Sequence, residues 1–483
     1  MRRETVPPCL TTPLSSGSTR TTLQRSCVPG LFLGLVAITI LSCTPPSGPA
    51  PGVHDPGVRG GDAAAGGPLA GLTEDETKFF QDGLTKFMDI EAATDGLGPR
   101  FNSNQCSGCH SQPAIGGTSP AKNPLIAVAT LDSAKNKVPW FITENGPVRE
   151  TRFKQNPDGT PDGGVHAIFT ISGRSDAPGC NIAQPDFLPA GDPLTGQGGN
   201  PNIIFRIPTP CFGLGLVEAI PDAQIVAHMK AKATQNQELG VHGHPNAIIS
   251  GTTNTSGNDG TVTRFGWKAQ NKSLLIFSGE AYNVEMGISN QLFPQDRDET
   301  AGCDFAPTPQ DAIHFSAEAN TDVPSDVEAF SIFMRLLAPP TPAPDSPSIV
   351  KGRNLFATTG CTACHTPSFT TGPRVASGSS TVPSAALSGK TVNLYSDLLV
   401  HNMGKGLSDG ITQGGAGPDE FRTAPLWGVG QRVFFLHDGR TTNLVEAIEA
   451  HRGKGSEANQ IIERFNKLSA EEQQDIINFL RAL

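Results

Sequence analysis

Cys106-Ser107-Gly108-Cys109-His110 and Cys361-Thr362-Ala363-Cys364-His365 are two copies of one spacing, CxxCH. That spacing is the attachment chemistry of c-type haem. Two thiols add across the two vinyl groups of the macrocycle, and the next residue sets an imidazole under the iron as proximal ligand. One copy can arise by chance in a Cys-rich chain; two, each behind a helix-forming segment, argue against coincidence and against zinc. The pattern predicts two covalently attached c-type haems, with Cys106, Cys109, Cys361 and Cys364 as attachment sites and His110 and His365 as axial ligands. The expected fold is mainly α and loop-rich: two cytochrome-c-like haem domains, with a long insert carrying short strands.

The rest of the chain agrees with a folded, loop-rich, exported protein. Its 483 residues include 54 Gly and 41 Pro, and only 17% are charged. With 36 Lys+Arg against 46 Asp+Glu and no basic run, nucleic acid is excluded as the main partner, because phosphate binding needs a concentrated basic face. Arg20 and Arg25 precede the apolar run Leu31 to Leu41, a signal-peptide h-region too short to span a bilayer. The run ends at Ile40-Leu41-Ser42-Cys43, which looks like a bacterial lipobox. Residues 1–42 are therefore expected to be a lipoprotein signal peptide, with Cys43 the lipid site that ties the chain to the membrane on the periplasmic side. Residues 43–70, rich in Pro, Gly and Ala, read as a flexible tether.

Capping boxes mark three helices: Thr73 to Glu76, Ser325 to Glu328 and Ser469 to Glu472. Residues 71–338 are expected to form the N-terminal haem domain, with 111–320 as loops and short elements. A Pro-rich linker follows at 339–347, and 348–483 form the C-terminal haem domain. Each iron has a second axial position, and its occupant decides between electron transfer and catalysis. In Thr442 to His451, Leu444, Ile448 and His451 share one helical face. His451 is accordingly the candidate distal ligand of the C-terminal haem, with Met403 as competitor. Cys180, Cys211 and Cys303 are left over; Cys180 and Cys211 flank a Pro/Gly-rich insert and could pair, although spacing does not settle the pairing.

Several motifs in order then carry a family resemblance: Asp95 to Pro99, Gly213 to Pro221, Arg264 to Ala269, Tyr395 to Gly404, Arg422 to Trp427, Phe435 to Arg440 and Leu444 to His451. Together they resemble the di-haem oxidoreductases, also called thiol oxidoreductases, which are similar to bacterial di-haem cytochrome c peroxidases. The resemblance implies an oxidoreductase of the peroxidase type. Peroxide or another small oxidant would be reduced at the N-terminal haem, and electrons would come through the C-terminal haem from a small redox protein or a quinone-pool-linked donor. The other reading is a non-catalytic electron-transfer cytochrome with both irons six-coordinate.

By the same resemblance, Glu285 is the candidate distal acid-base, following Phe265 to Ala269 at similar spacing. His242 and His244 fall roughly where the peroxidases keep a removable ligand. His451 matches a Met position of the peroxidases, and His there lowers the potential. Among the chain's three Trp and two Tyr, Trp267 is the candidate inter-haem relay. Arg422 and Arg432 are candidates for haem propionates. The peroxidases bind Ca²⁺ near the region that His437 matches, and bulky Phe434 and Phe435 count against that ion here.

Overall fold

A computed structural model describes residues 48–185, 187, 202–247, 262–312, 325–377 and 382–483. The expected leader and Cys43 lie outside these residues, as do parts of the insert. In chain order, helices α1 (Glu74–Met88), α2 (Asp222–Glu238), α3 (Leu274–Met286), α4 (Asp326–Leu336), α5 (Pro347–Thr359), α6 (Leu444–Glu449), α7 (Asn459–Phe465) and α8 (Ala470–Ala482) carry most of the regular structure. Between them run loops and short strands, as the composition leads one to expect.

Two helix crossings organise the chain, and one sequence device builds both. α1 packs on α4, and α5 packs on α8. A glycine lets each pair of backbones touch. A Cβ on Gly83 would lie 2.6 Å from the Ala329 carbonyl oxygen, and one on Gly352 would lie 1.9 Å from that of Asp475. One turn after each glycine stands Phe87 or Phe356. Its ring meets a phenylalanine of the partner helix (Phe87 with Phe333 at 4.8 Å, Phe356 with Phe479 at 5.5 Å between centroids). The same ring lies 6.0 Å from the histidine of the CxxCH that follows, His110 or His365. Each crossing is thus a greasy wall behind one CxxCH. Each fully buried ring contributes about 1.5–3 kcal/mol of transfer free energy.

Local signals set the helix ends. Thr73 with Glu76 and Ser469 with Glu472 make reciprocal capping boxes on α1 and α8, while the Ser325 hydroxyl accepts the Glu328 N–H at the start of α4. The apolar run Leu274 to Phe277 opens α3 because Ser273 caps it at Ile276 N–H, and Gly287, in the left-handed region, ends it. The run at 202–208 instead supplies a strand. β1 (Glu150–Phe153), β2 (Val165–His166) and β3 (Ile203–Arg206) form an antiparallel sheet in the order β2-β1-β3, with Arg152 opposite Ile204. Further on, β4 (Val400–Asn402) pairs with β5 (Glu420–Arg422). Among the described residues no helix is long and apolar enough to cross a membrane.

One expectation is corrected, and one open pairing is resolved. Residues 48–70 do not hang free along their length. Ala50 N–H donates to Gln473 Oε1 (3.0 Å), and Arg59 N–H donates to the Gly430 carbonyl (2.8 Å). Buried Asp55 pairs with Arg481 (2.6 Å) and also accepts the Leu444 N–H at the start of α6 (2.6 Å). A segment with little to bury is held by hydrogen bonds and one buried ion pair rather than by apolar area. The disulfide joins Cys180 to Cys303, not to Cys211. Cys211 is kept in the core, its Sγ 3.6 Å from His110 Nδ1.

Candidate functional site

Each CxxCH opens onto its own cavity. Cys106, Cys109 and His110 line one, and Cys361, Cys364 and His365 line the other. Neither pair of cysteines forms a disulfide, so all four thiols are available for thioether bonds. The histidines are set for ligation. His110 Nδ1 hydrogen-bonds the Gly117 carbonyl (3.0 Å) and His365 Nδ1 the Tyr395 carbonyl (2.9 Å). A proton fixed on Nδ1 leaves the Nε2 lone pair for a metal. Burial lowers the pKa of both rings, His365 to about 4, so both are neutral, the form that binds a metal. Among the described residues no group of three or more His, Cys, Asp and Glu is placed to hold a metal ion. Two free thiols beside one neutral histidine in each cavity fit haem.

The second cavity contains His451 as well as His365. His451 follows α6, and its Nδ1 hydrogen-bonds the Ala447 carbonyl (2.7 Å), repeating the arrangement of the proximal histidines. The two rings line the same cavity. Met403 lines this cavity too. So do Arg422 and Arg432, which burial pulls to about 10. Arg422 Nε donates to the Gly266 carbonyl (3.0 Å) and Arg432 Nη2 to the Pro425 carbonyl (3.2 Å), and among the described residues no carboxylate pairs with either. Two buried guanidiniums without a counter-ion fit the propionates of haem.

Carboxyls occupy the first cavity where the second has imidazole. Glu285 from α3 and Glu150 and Arg152 from β1 meet there, with Glu280 and Arg206 beside them. Arg152 Nε donates to Glu150 Oε1 (2.6 Å), and Asn102 Nδ2 donates to Glu285 Oε2 (2.8 Å). Burial and the charge of Glu150 push Glu285 up to about 8. Burial works on Glu150 in the same sense, but Arg152 and Arg206 outweigh it and hold that carboxyl below its ordinary value. Two neighbouring carboxyls whose environments push their pKa values apart form an acid and a base. Glu150 gave no sequence signal of its own; only a strand partner for the apolar run at 202–208 could have pointed to it.

The sequence candidates sort unevenly. Glu285 and His110 share the first cavity; His365, His451, Met403, Arg422 and Arg432 share the second. Trp267 lines both, alone among the described residues, and its Nε1–H is held by the Ile207 carbonyl (2.8 Å). His242 and His244 line neither. His244 pairs in backbone with Val400 and its Nε2 lies 3.1 Å from Glu420 Oε1, while the His242 N–H donates to Glu457. Strand pairing carries that loop away from His110. Two further buried histidines line the second cavity: His401, clasped between Asp397 (3.0 Å) and Glu457 (2.8 Å), and His437, stacked on Phe421 (4.3 Å between centroids).

Residues 200–483 match the family model described as "Di-haem oxidoreductase, putative peroxidase". No curated protein and no solved structure matches the chain.

Proposed function

The chain belongs to the di-haem oxidoreductase family, and from that premise we propose that it reduces peroxide, or a related small oxidant, in the Cys106–His110 cavity, with electrons arriving through the Cys361–His365 cavity. One observation carries this reading: His110 shares its cavity with buried carboxyls and, among the described residues, no second histidine, whereas His365 shares its cavity with His451. Haem attached through the four cysteines supplies the iron at which the O–O bond is cleaved and the electrons for that cleavage.

The protein handles the protons. Glu150, held ionised by Arg152, takes a proton from the peroxide oxygen nearest it. Glu285, raised to about 8 and so neutral at pH 7, gives its proton to the departing oxygen. Asn102 fixes Glu285 from its other side, so the acid does not swing away. In the second cavity His451, Arg422 and Arg432 would hold the haem, His451 as a second ligand of its iron and the two arginines at its propionates, a setting suited to electron transfer rather than chemistry. Trp267, touching both cavities, is the relay between them.

The setting belongs to the same proposal. Residues 1–42 export the chain, Cys43 anchors it by lipid on the periplasmic side, and a small redox protein or quinone-linked donor feeds it. Mixing the half-reduced holoprotein with H₂O₂ in a stopped-flow spectrometer tests the reading. Rapid reoxidation is expected, and a spectrum that never responds would favour the electron-transfer cytochrome.

A further inference from the structure

We propose that Tyr282 is a redox-active tyrosine of the first cavity, giving its electron to the peroxide-oxidised haem centre and its proton to Glu91. The inference rests on the peroxide reading above. Tyr282 sits on α3 one turn before Glu285, and both line the cavity. Its ring is 2% exposed and packs edge-on against Phe330 at 5.0 Å between centroids.

The phenol's surroundings set it apart from a structural tyrosine. Its Oη donates to Glu91 Oε1 (3.0 Å), and a second carboxylate, Asp326 Oδ2, lies 3.3 Å away. A phenol has one proton to donate, so two carboxylates give it more acceptors than a resting hydrogen bond needs. Glu91 is itself buried, and Asp326 pairs with half-exposed Lys86 (3.1 Å). A proton can therefore move from the ring to Glu91. Burial keeps the phenol protonated at rest and lifts Glu91 to about 7, so Glu91 can accept and return a proton near neutrality. Tyr282 itself lines the cavity that holds Cys106 and Cys109. Trp267 differs, because its N–H is given to a carbonyl, which cannot take a proton.

The step balances. Peroxide is the oxidant, already reduced at the haem centre. Tyr282 loses one electron to that centre, its O–H bond breaks, and the proton goes to the Glu91 carboxylate, leaving a neutral tyrosyl radical. One electron from the donor side and the same proton restore the phenol. Tyr282 thus stores one oxidising equivalent until an electron arrives.

Freeze-quench EPR of the holoprotein after H₂O₂, with ring-deuterated tyrosine to identify the signal, tests this. Wild type should give a tyrosyl radical. Y282F should lose it, Y395F should keep it, and E91Q should lower its yield about tenfold or more with both haem spectra intact. A full tyrosyl signal in Y282F, or an undiminished one in E91Q, overturns the proposal. A haem spectrum that ignores H₂O₂ defeats the peroxide reading instead. In that event a photogenerated outer-sphere oxidant applied to the same variants decides on Tyr282, with loss of the radical in Y282F supporting the assignment and its survival refuting it.

Discussion

The α1–α4 and α5–α8 regions are built alike up to the histidine and unlike beyond it. Both set a glycine at the crossing, a phenylalanine one turn on, and a CxxCH whose histidine is fixed by a carbonyl through Nδ1. Across the first cavity stand Glu285 and Glu150; in the second stands His451. On the proposed reading the shared walls would hold the same kind of cofactor, and the differing far side would separate chemistry from electron transfer. The lesson is that function in such a repeat is carried by residues outside the motif that announces it.

The largest expected effect breaks the comparison at its acid. Glu285→Gln keeps the hydrogen bonding but cannot give a proton, so peroxide turnover should fall about 10²–10⁴-fold with both haem spectra unchanged; wild-type turnover would remove Glu285 from its role. The raised pKa of Glu285 adds a pH signature. Turnover should hold below about 8 and decline above it as the carboxyl ionises, while electron uptake at the second site stays flat across that range. A turnover profile equally flat would detach proton delivery from Glu285.

Asp55→Ala comes next and acts on the second region alone. It leaves Arg481 buried without its partner and frees the first N–H of α6, the helix that leads to His451. A loss of about 3–5 kcal/mol is expected in denaturant unfolding followed at the C-terminal haem. Burial opposes ionisation of Asp55, but Arg481 and the Leu444 and Gly57 N–H groups outweigh it and hold the pKa down. Its contribution is therefore present above the ordinary Asp value, about 3.9, and is lost as pH falls below that range. The smallest effects sharpen the likeness. Gly83→Ala and Gly352→Ala should each cost about 1–3 kcal/mol by overpacking the crossing, with Gly352→Ala the worse because its Cβ would sit closer to backbone. Equal thermal stability to wild type in both would mean the crossings do not need glycine.

What could be read from sequence was what is local. The CxxCH spacings, the capping boxes at Thr73 and Ser469, and the stripe ending at His451 are contained in windows of a few residues; the structure forms both capping boxes, and it ends α6 at Glu449, two residues short of His451. Long-range pairing was hidden. Glu150 meets Glu285 only because β1 pairs with β3 beside α3, and Cys303 reaches Cys180 across 123 residues. The hold on residues 48–70 was equally invisible, because Asp55 acts through Arg481 at the far end of the chain. His242 and His244 suited a ligand loop by position alone, and the strand-like pairing of His244 to Val400 gave no local signal.

The central claim is that His451 would be a second protein ligand in the Cys361–His365 cavity, whereas the Cys106–His110 cavity would leave its cofactor free to take an outside ligand. Cyanide titration of the ferric holoprotein, followed by EPR, measures this directly. Wild type should bind one equivalent, at the Cys106–His110 haem, and His451→Ala should bind two. Two equivalents in wild type, or none, would contradict the account.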